Sequence, residues 1–246
     1  MNNKFYIYHA HSWEKNKVNI AHFFHEFLFW GIDSILNNPS TIFILDNKLS
    51  EWELSLTNMI IKHLHIEYEV DDLTYHHNGM DRINLKKSKN YNKIFNIIHD
   101  IVNKEYDVEF DPNFKVLYFR DETPRRKMIN YNNQLNYLFD EVITDMSSLS
   151  FEYQVRLFMK CGLFVTIDGA QMTNVIFMNK KSKILVLTTK NNNCWTNLFG
   201  TNICIDSVDE HALNYSDFND NIVYNDEIQE TITNFVTNDI SDCSSN

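Results

Sequence analysis

Glycine and proline are scarce in this chain, with five glycines and three prolines in 246 residues. So few turn-formers argue against a loop-rich or repeat β protein. Cysteine is scarce as well: Cys161, Cys194, Cys204 and Cys243 form no C-x-x-C pair. They read as reduced thiols of a cytoplasmic protein rather than a disulfide framework. No stretch approaches the ~20 apolar residues needed to span a bilayer. Residues 1–20 hold no long apolar run of the kind an export signal needs. A soluble protein without a transmembrane segment is the expectation. Positive charge is also short, with 22 Lys and Arg against 33 Asp and Glu, a net charge of −11 and a pI near 5.3. An acidic surface repels phosphate backbones, which disfavours nucleic acid as a partner.

Apolar side chain is plentiful. Hydrophobic residues make up 43% of the chain and aromatic residues 14%, enough for a packed core and too much for a mostly disordered chain. The length suits one large domain or two small ones.

Strand-like and helix-like segments alternate. "KFYIYHA" (4–10), "TIFILD" (41–46) and "IEYEV" (66–70) read as strands. "NIAHFFHEFLFWGIDSIL" (19–36) reads as a helix whose Ala21, Phe24, Leu28, Ile32 and Ile35 fall on one stripe. "LSEWELSLTNMIIKHL" (49–64) is a helix with Ser50 as N-cap and Glu53 as its capping-box partner. "NYNKIFNIIHDIVNKEY" (90–106) is amphipathic. "YDVEFDPNF" (106–114), with Pro112, breaks the pattern and is the expected domain boundary. Beyond it, "KVLYF" (115–119), "LFVTI" (163–167) and "KILVLTT" (183–189) read as strands. "INYNNQLNYLFD" (129–140), "SFEYQVRLFMKC" (150–161), "QMTNVIFM" (171–178) and "NDEIQETITNFVT" (225–237) read as helices. The expectation is an α/β protein with an N-terminal domain over 1–108, a C-terminal domain over 109–208, and a helix with a polar tail over 209–246.

Three segments carry chemistry. In "LFVTIDGAQMTNVIF" a strand runs through Asp168, Gly169 and Ala170 into a helix. Such a turn leaves backbone N–H groups at the carboxyl edge of a sheet, where open α/β folds bind phosphate. Gly169 allows close backbone approach, and Thr173 and Asn174 can add hydrogen bonds. An ordinary βα turn reads the same way. In "YFRDETPRRKMIN" the densest positive cluster of the chain, Arg120, Arg125, Arg126 and Lys127, borders a strand end. Guanidinium forks suit a pyrophosphate; a solvated loop paired with Asp121 and Glu122 is the alternative. In "AHFFHEFLFW", His22, His25 and Glu26 lie at i, i+3 and i+4 of a helix. They admit three readings: core histidines with hydrogen-bond partners, an acid/base or acceptor-binding edge, or a metal site. The order H-x-x-H-E matches neither the zincin pattern nor its inverse, and His9, His11, His76 and His77 are the remaining ligand candidates.

Taken in order, these blocks resemble glycosyltransferase family 61. "NIAHFFHEFLF" is similar to the family's N-terminal Asn, His, then His-acidic block. "VLYFRDETPRRKMINYNNQL" is similar to its strand, Arg and Arg-x-x-x-Asn block, with Arg120, Arg126 and Asn130 on the matching positions. "SFEYQVRLFMKCGLFVTIDGAQMTNVIFMNKKSKILVL" is similar to its most diagnostic region, with Gln154 on the helix before the strand. The resemblance implies a GT-B fold, two Rossmann-like αβα domains facing a cleft. It further implies an inverting transfer from a nucleotide-sugar, mostly UDP-linked, to a glycan, glycolipid or glycoprotein hydroxyl, with no obligatory metal or other cofactor. Glu26 is then the expected general base, followed by His22 and His25. Arg120, Arg126, Asn130, Asp168, Gly169, Ala170, Thr173 and Asn174 are the expected donor-binding residues. The chain departs from the family's usual His-Gly-Ala-Gly turn, with Asp168-Gly169-Ala170-Gln171. An aspartate beside a pyrophosphate is unfavourable unless an arginine offsets it. A metal-dependent hydrolase built on His22, His25 and Glu26 and a catalytically silent sugar-binding module are the competing readings.

Overall fold

A computed structural model describes residues 3–9, 20–73, 88–120, 127–187, 204–207 and 222–237, with the backbone alone for Glu26 and for 204–207. The chain divides into two compact units. One comprises Met1–Asp107 with Ser150–Val155, the other Val108–Leu149 with Arg156–Asn246.

The first unit is built on a parallel sheet in the order β1 (Lys4–Ile7), β2 (Ile42–Asp46), β3 (Tyr68–Asp71). Parallel neighbours require a crossover, and helices supply it. Between β1 and β2 run α1 (Ile20–Phe23), a π-helical turn (Phe24–Leu28) and α2 (Phe29–Asn37). The expected stripe is inside: Ala21, Phe24, Leu28 and Ile32 are buried. Gly31 lets α2 sit on the sheet, because a Cβ there would come within 3.1 Å of Phe43 and 3.3 Å of Phe5. α3 (Glu51–Leu64) starts on the expected Ser50–Glu53 capping box. α4 (Tyr91–Glu105) is tied at its start to α2, since the Asp33 carboxylate accepts from the Ser88 hydroxyl at 2.6 Å and the Asn90 amide at 3.0 Å.

The second unit carries a five-stranded parallel sheet in the order β6-β4-β7-β8-β9. Its strands are β4 (Asp111–Tyr118), β6 (Glu141–Ile143), β7 (Cys161–Ile167), β8 (Lys183–Leu187) and β9 (Cys204–Ser207). A parallel pair of β5 (Met128–Ile129) and β10 (Ile222–Val223) stands apart. Every residue of β7 is buried, as befits a strand paired on both edges within an all-parallel sheet. α5 (Phe151–Lys160) begins on Ser150, whose hydroxyl accepts the Tyr153 N–H, and packs Phe158 edge-on against Phe164. α6 (Asp226–Thr237) adds Ile228, Ile232 and Val236 to the core around Val165 and Leu187.

Two expectations are corrected. β4 begins at Asp111 rather than Lys115, taking Pro112 into the strand. The register shifts between Asp111 and Lys115, and such an irregularity tolerates a residue without an N–H. Residues 129–140 form no helix beyond a 3-10 turn at Asn136–Leu138. Asn130 and Asn133 adopt left-handed backbone at φ 64° and 63°, and asparagine side chains compete with the helix for backbone partners. The helix expected after the Gly-Ala turn is present as a 3-10 helix, Ala170–Phe177. The expected frayed tail after residue 237 lies outside the described residues.

Two expectations follow. A Cβ on Gly162 would fall 2.2 Å from the Pro112 carbonyl oxygen and 2.4 Å from its carbon. Gly162→Ala is therefore expected to cost about 1–3 kcal/mol, read as a Tm lowered by several degrees with the fold retained. Burial pushes the Tyr131 phenol up to about 12 and raises Tyr91 and the Cys161 thiol as well. The folded chain keeps these protons when the unfolded chain has lost them, so stability falls as pH rises. The decline starts above the ordinary thiol value of about 8.5 and steepens near 10. Urea unfolding between pH 7 and 10.5 checks this; a flat profile would contradict it.

Candidate functional site

In the second unit the chain runs from β4 to β6 on one side and then returns to β7 on the other. The order reverses at the β4–β7 pair, and open α/β sheets bind ligands at the carboxyl ends of such a pair. The register sets Tyr118 opposite Thr166. Two residues on, Arg120 follows β4 while Asp168 and Gly169 follow β7. A Cβ on Gly169 would lie 3.4 Å from Arg120 Nη2 and 2.7 Å from Gln171 Oε1. The nearest obstacle to a side chain here is the Gln171 amide oxygen, while the Arg120 guanidinium stands at ordinary contact distance from the turn. The structure thus brings together Arg120 and Gly169, two residues 49 positions apart that the sequence marked separately.

The turn is held from beneath. Gln171 donates its amide to the Thr166 hydroxyl at 3.1 Å and to the Ile167 carbonyl. Asp168 N–H donates to the Leu187 carbonyl at 2.9 Å. The 3-10 bond from Met172 N–H to the Gly169 carbonyl closes the first turn at 3.0 Å, so Ala170 and Gln171 N–H have no acceptor within the helix. Asp168, Thr173 and Asn174 are buried and Ala170 is half-buried. Lys127 pairs its backbone with Arg120 in an isolated bridge. Arg125 and Arg126 lie outside the described residues. Asn130 is exposed at the end of β5, in left-handed backbone.

In the first unit His22 lies on α1 and His25 on the π turn, where Phe29 N–H reaches back to the Phe24 carbonyl. A π turn inserts a residue into the helical repeat, so the expected shared face is broken. His25 is fully buried, its ring edge-on to Phe24 at 5.1 Å, whereas His22 is half-buried. The Glu26 side chain lies outside the described residues, as do His11, His76 and His77. Among the described residues no three of His, Cys, Asp or Glu cluster as metal ligands would.

A pair the sequence did not join stands at the carboxyl edge of this unit's sheet. His9, just past β1, contacts Glu53 on the first turn of α3, with Nδ1 2.6 Å from Oε2. The same oxygen accepts the Ser50 N–H and hydroxyl, each at 2.8 Å. Glu53 is fully buried; the His9 side chain keeps 27% of its surface. Tyr8 packs on Phe27 of the π turn at 5.7 Å and Trp52 on Phe23 at 5.4 Å. β1, the π turn and α3 therefore converge on this point. One signal could have revealed the pair: Glu53 shares the buried stripe with Leu56, Thr57 and Ile60, and a carboxylate on a core stripe needs a partner.

A protein-family model described as Glycosyltransferase 61 matches residues 20–185. No curated protein matches the chain. No helix among the described residues is long and apolar enough to cross a membrane.

Glu53→Ala strips one acceptor from three donors and is expected to cost about 2–4 kcal/mol. Glu53→Gln should cost less, since glutamine also serves in a capping box. Urea denaturation of both variants checks the order; an unaltered Glu53→Ala protein would show that these bonds add nothing to stability.

Proposed function

Because this chain belongs to glycosyltransferase family 61 and is a glycosyltransferase, with a sugar donor and an acceptor as its substrates, we propose the following reaction. It moves a sugar from a nucleotide-linked donor, UDP-linked in the first instance, to a hydroxyl of a glycan, glycolipid or glycoprotein. In this reading the anomeric centre inverts and no resident metal takes part. It follows the GT-B plan, with the donor on the second unit and the acceptor on the first. The scattered cysteines suit work in the cytoplasm.

The observation that carries the donor half is the approach of the Arg120 guanidinium to the Gly169 turn at the sheet's switch point. The acceptor oxygen attacks C1 from the face opposite the nucleotide. The C1–O bond breaks, and the diphosphate leaves with its electron pair. Arg120, Arg126 and the N–H groups at Ala170 and Gln171 stabilise the charge that develops there, which is transition-state electrostatics of the oxyanion-hole kind. Asp168, Thr173 and Asn174 brace the turn from inside, and Asn130 is proposed as a further donor contact from the loop after β5. For the acceptor half, Glu26 is the proposed base that receives the proton, with His22 on α1 as the second choice; the fully buried His25 is left to the core.

Titration calorimetry with UDP, with and without EDTA, tests the donor half. The expected result is binding that survives EDTA and weakens about 10–100-fold in Arg120→Ala, the loss of one or two charge-assisted hydrogen bonds. Undiminished UDP affinity in that variant would refute the role of Arg120. Binding abolished by EDTA would refute metal independence.

A further inference from the structure

Gln171 holds a hydrogen-bond acceptor that the roles assigned above leave unused. The Ile167 carbonyl can only accept, so the Gln171 amide faces it with Nε2. The other Nε2 hydrogen goes to the Thr166 hydroxyl at 3.1 Å, and that hydroxyl donates onward to the Ile167 carbonyl at 3.0 Å. Both amide hydrogens are thus spent inside the second unit, and together they fix the direction of Oε1. Gln171 is only 6% exposed, and its Oε1 is buried with no hydrogen-bond partner. Asp168 and Asn174, buried in the same segment, have interactions of their own. Oε1 and the Arg120 guanidinium face the same side of Gly169, since a Cβ there would lie 2.7 Å from the oxygen and 3.4 Å from Nη2. The turn therefore presents donors and one neutral acceptor side by side. A buried acceptor without a donor is a net cost to the folded chain, and a ligand that brings the donor removes it. The diphosphate of a nucleotide-sugar is ionised and only accepts, so the hydrogen has to come from a group next to it.

We infer that Gln171 Oε1 accepts a hydrogen bond from a hydroxyl or N–H group flanking the diphosphate of the donor, which makes Gln171 a residue that selects the donor. This rests on the glycosyl-transfer reading above. Two parts of a nucleotide-sugar carry such a group: the ribose on one flank, and the C2 substituent of the transferred sugar on the other. The family's usual turn has glycine at this place, which offers no side-chain acceptor. A bond made to a buried oxygen is shielded from water, and there the loss of one hydroxyl from a ligand is felt most strongly.

The test is titration calorimetry of the full chain with two ligand series. UDP is compared with its 2′-deoxy and 3′-deoxy forms. UDP-glucose and UDP-N-acetylglucosamine are compared with UDP-2-deoxy-2-fluoroglucose, whose fluorine cannot donate. One series is expected to lose at least about 10-fold in affinity when the donating group is removed. A loss in the first series assigns the ribose as the source, and a loss in the second assigns the transferred sugar. In Gln171→Met, which keeps the side-chain length but replaces the amide oxygen with a weak acceptor, the same loss should shrink to under about 3-fold. A readout that needs no variant is the side-chain amide signal of Gln171 in the native protein by NMR. It should shift with the parent ligand and not with the analogue that lacks the hydrogen. A native protein that binds neither UDP nor a UDP-sugar overturns the donor reading and this inference with it. A native protein that binds UDP but holds every analogue as tightly as its parent overturns this inference alone. So does a Gln171→Met protein that keeps the full loss, or a Gln171 amide signal that moves equally with parent and analogue.

Discussion

The meeting of Arg120 with the Gly169 turn depends on the parallel pairing of β4 with β7. Parallel strands leave their carboxyl ends on the same side, so whatever follows β4 must stand beside whatever follows β7. Val116–Tyr118 pair with Phe164–Thr166, and this alone brings Arg120 level with Asp168 and Gly169. The pairing is tight at both ends. At the start, Gly162 admits the Pro112 backbone where no side chain would fit, and at the finish Gly169 lies within contact of the Arg120 guanidinium. Two of the chain's five glycines thus serve one strand pair. A slip of one residue would turn each side chain of β7 to the opposite face and part the arginine from its turn.

The other unit turns on one carboxylate. Glu53 caps α3 and orients His9 through the same oxygen. The two duties support each other: the helix start fixes the carboxylate, and the carboxylate fixes the ring. Burying a charge is costly unless it is paired and hydrogen-bonded, and three donors on Oε2 meet that need. Aromatic contacts from Tyr8 to Phe27 and from Trp52 to Phe23 keep strand end, π turn and helix start together.

Much of this was legible in the sequence where local chemistry decides structure. The Ser50–Glu53 box, the apolar stripes and the buried run at "LFVTI" all gave elements of the right type within a few residues. Legibility failed where long-range contacts decide. "INYNNQLNYLFD" has helical spacing, yet the left-handed turns at Asn130 and Asn133 break it. Strands of two or three residues, such as β5 and β6, are too short to show a period. The π turn is invisible because an apolar pattern at i+3 and i+4 tolerates one extra residue; the core reading of the histidines, one of three left open, holds for His25. The Arg120 and Gly169 blocks were each marked as phosphate-binding from residue type, but their meeting required the sheet order. His9 and Glu53 are 44 residues apart, and only the fold of β1 against α3 joins them.

The balance of charge at the turn bears on how an acidic protein handles a diphosphate. A net charge of −11 opposes an anion at long range, but screening confines that effect to about 8–10 Å at physiological salt. Closer in, the outcome belongs to the few charges at the turn. Arg120 stands against Gly169, beside the buried Asp168. A guanidinium there outweighs distant surface acids, because unit charges at about 4 Å interact by several kcal/mol at an effective dielectric near 20. Where the family resemblance leads one to expect a histidine, this chain carries the buried Asp168, and Arg120 is the cation that the described residues place against the turn. That makes Arg120 the residue on which donor affinity should depend most steeply.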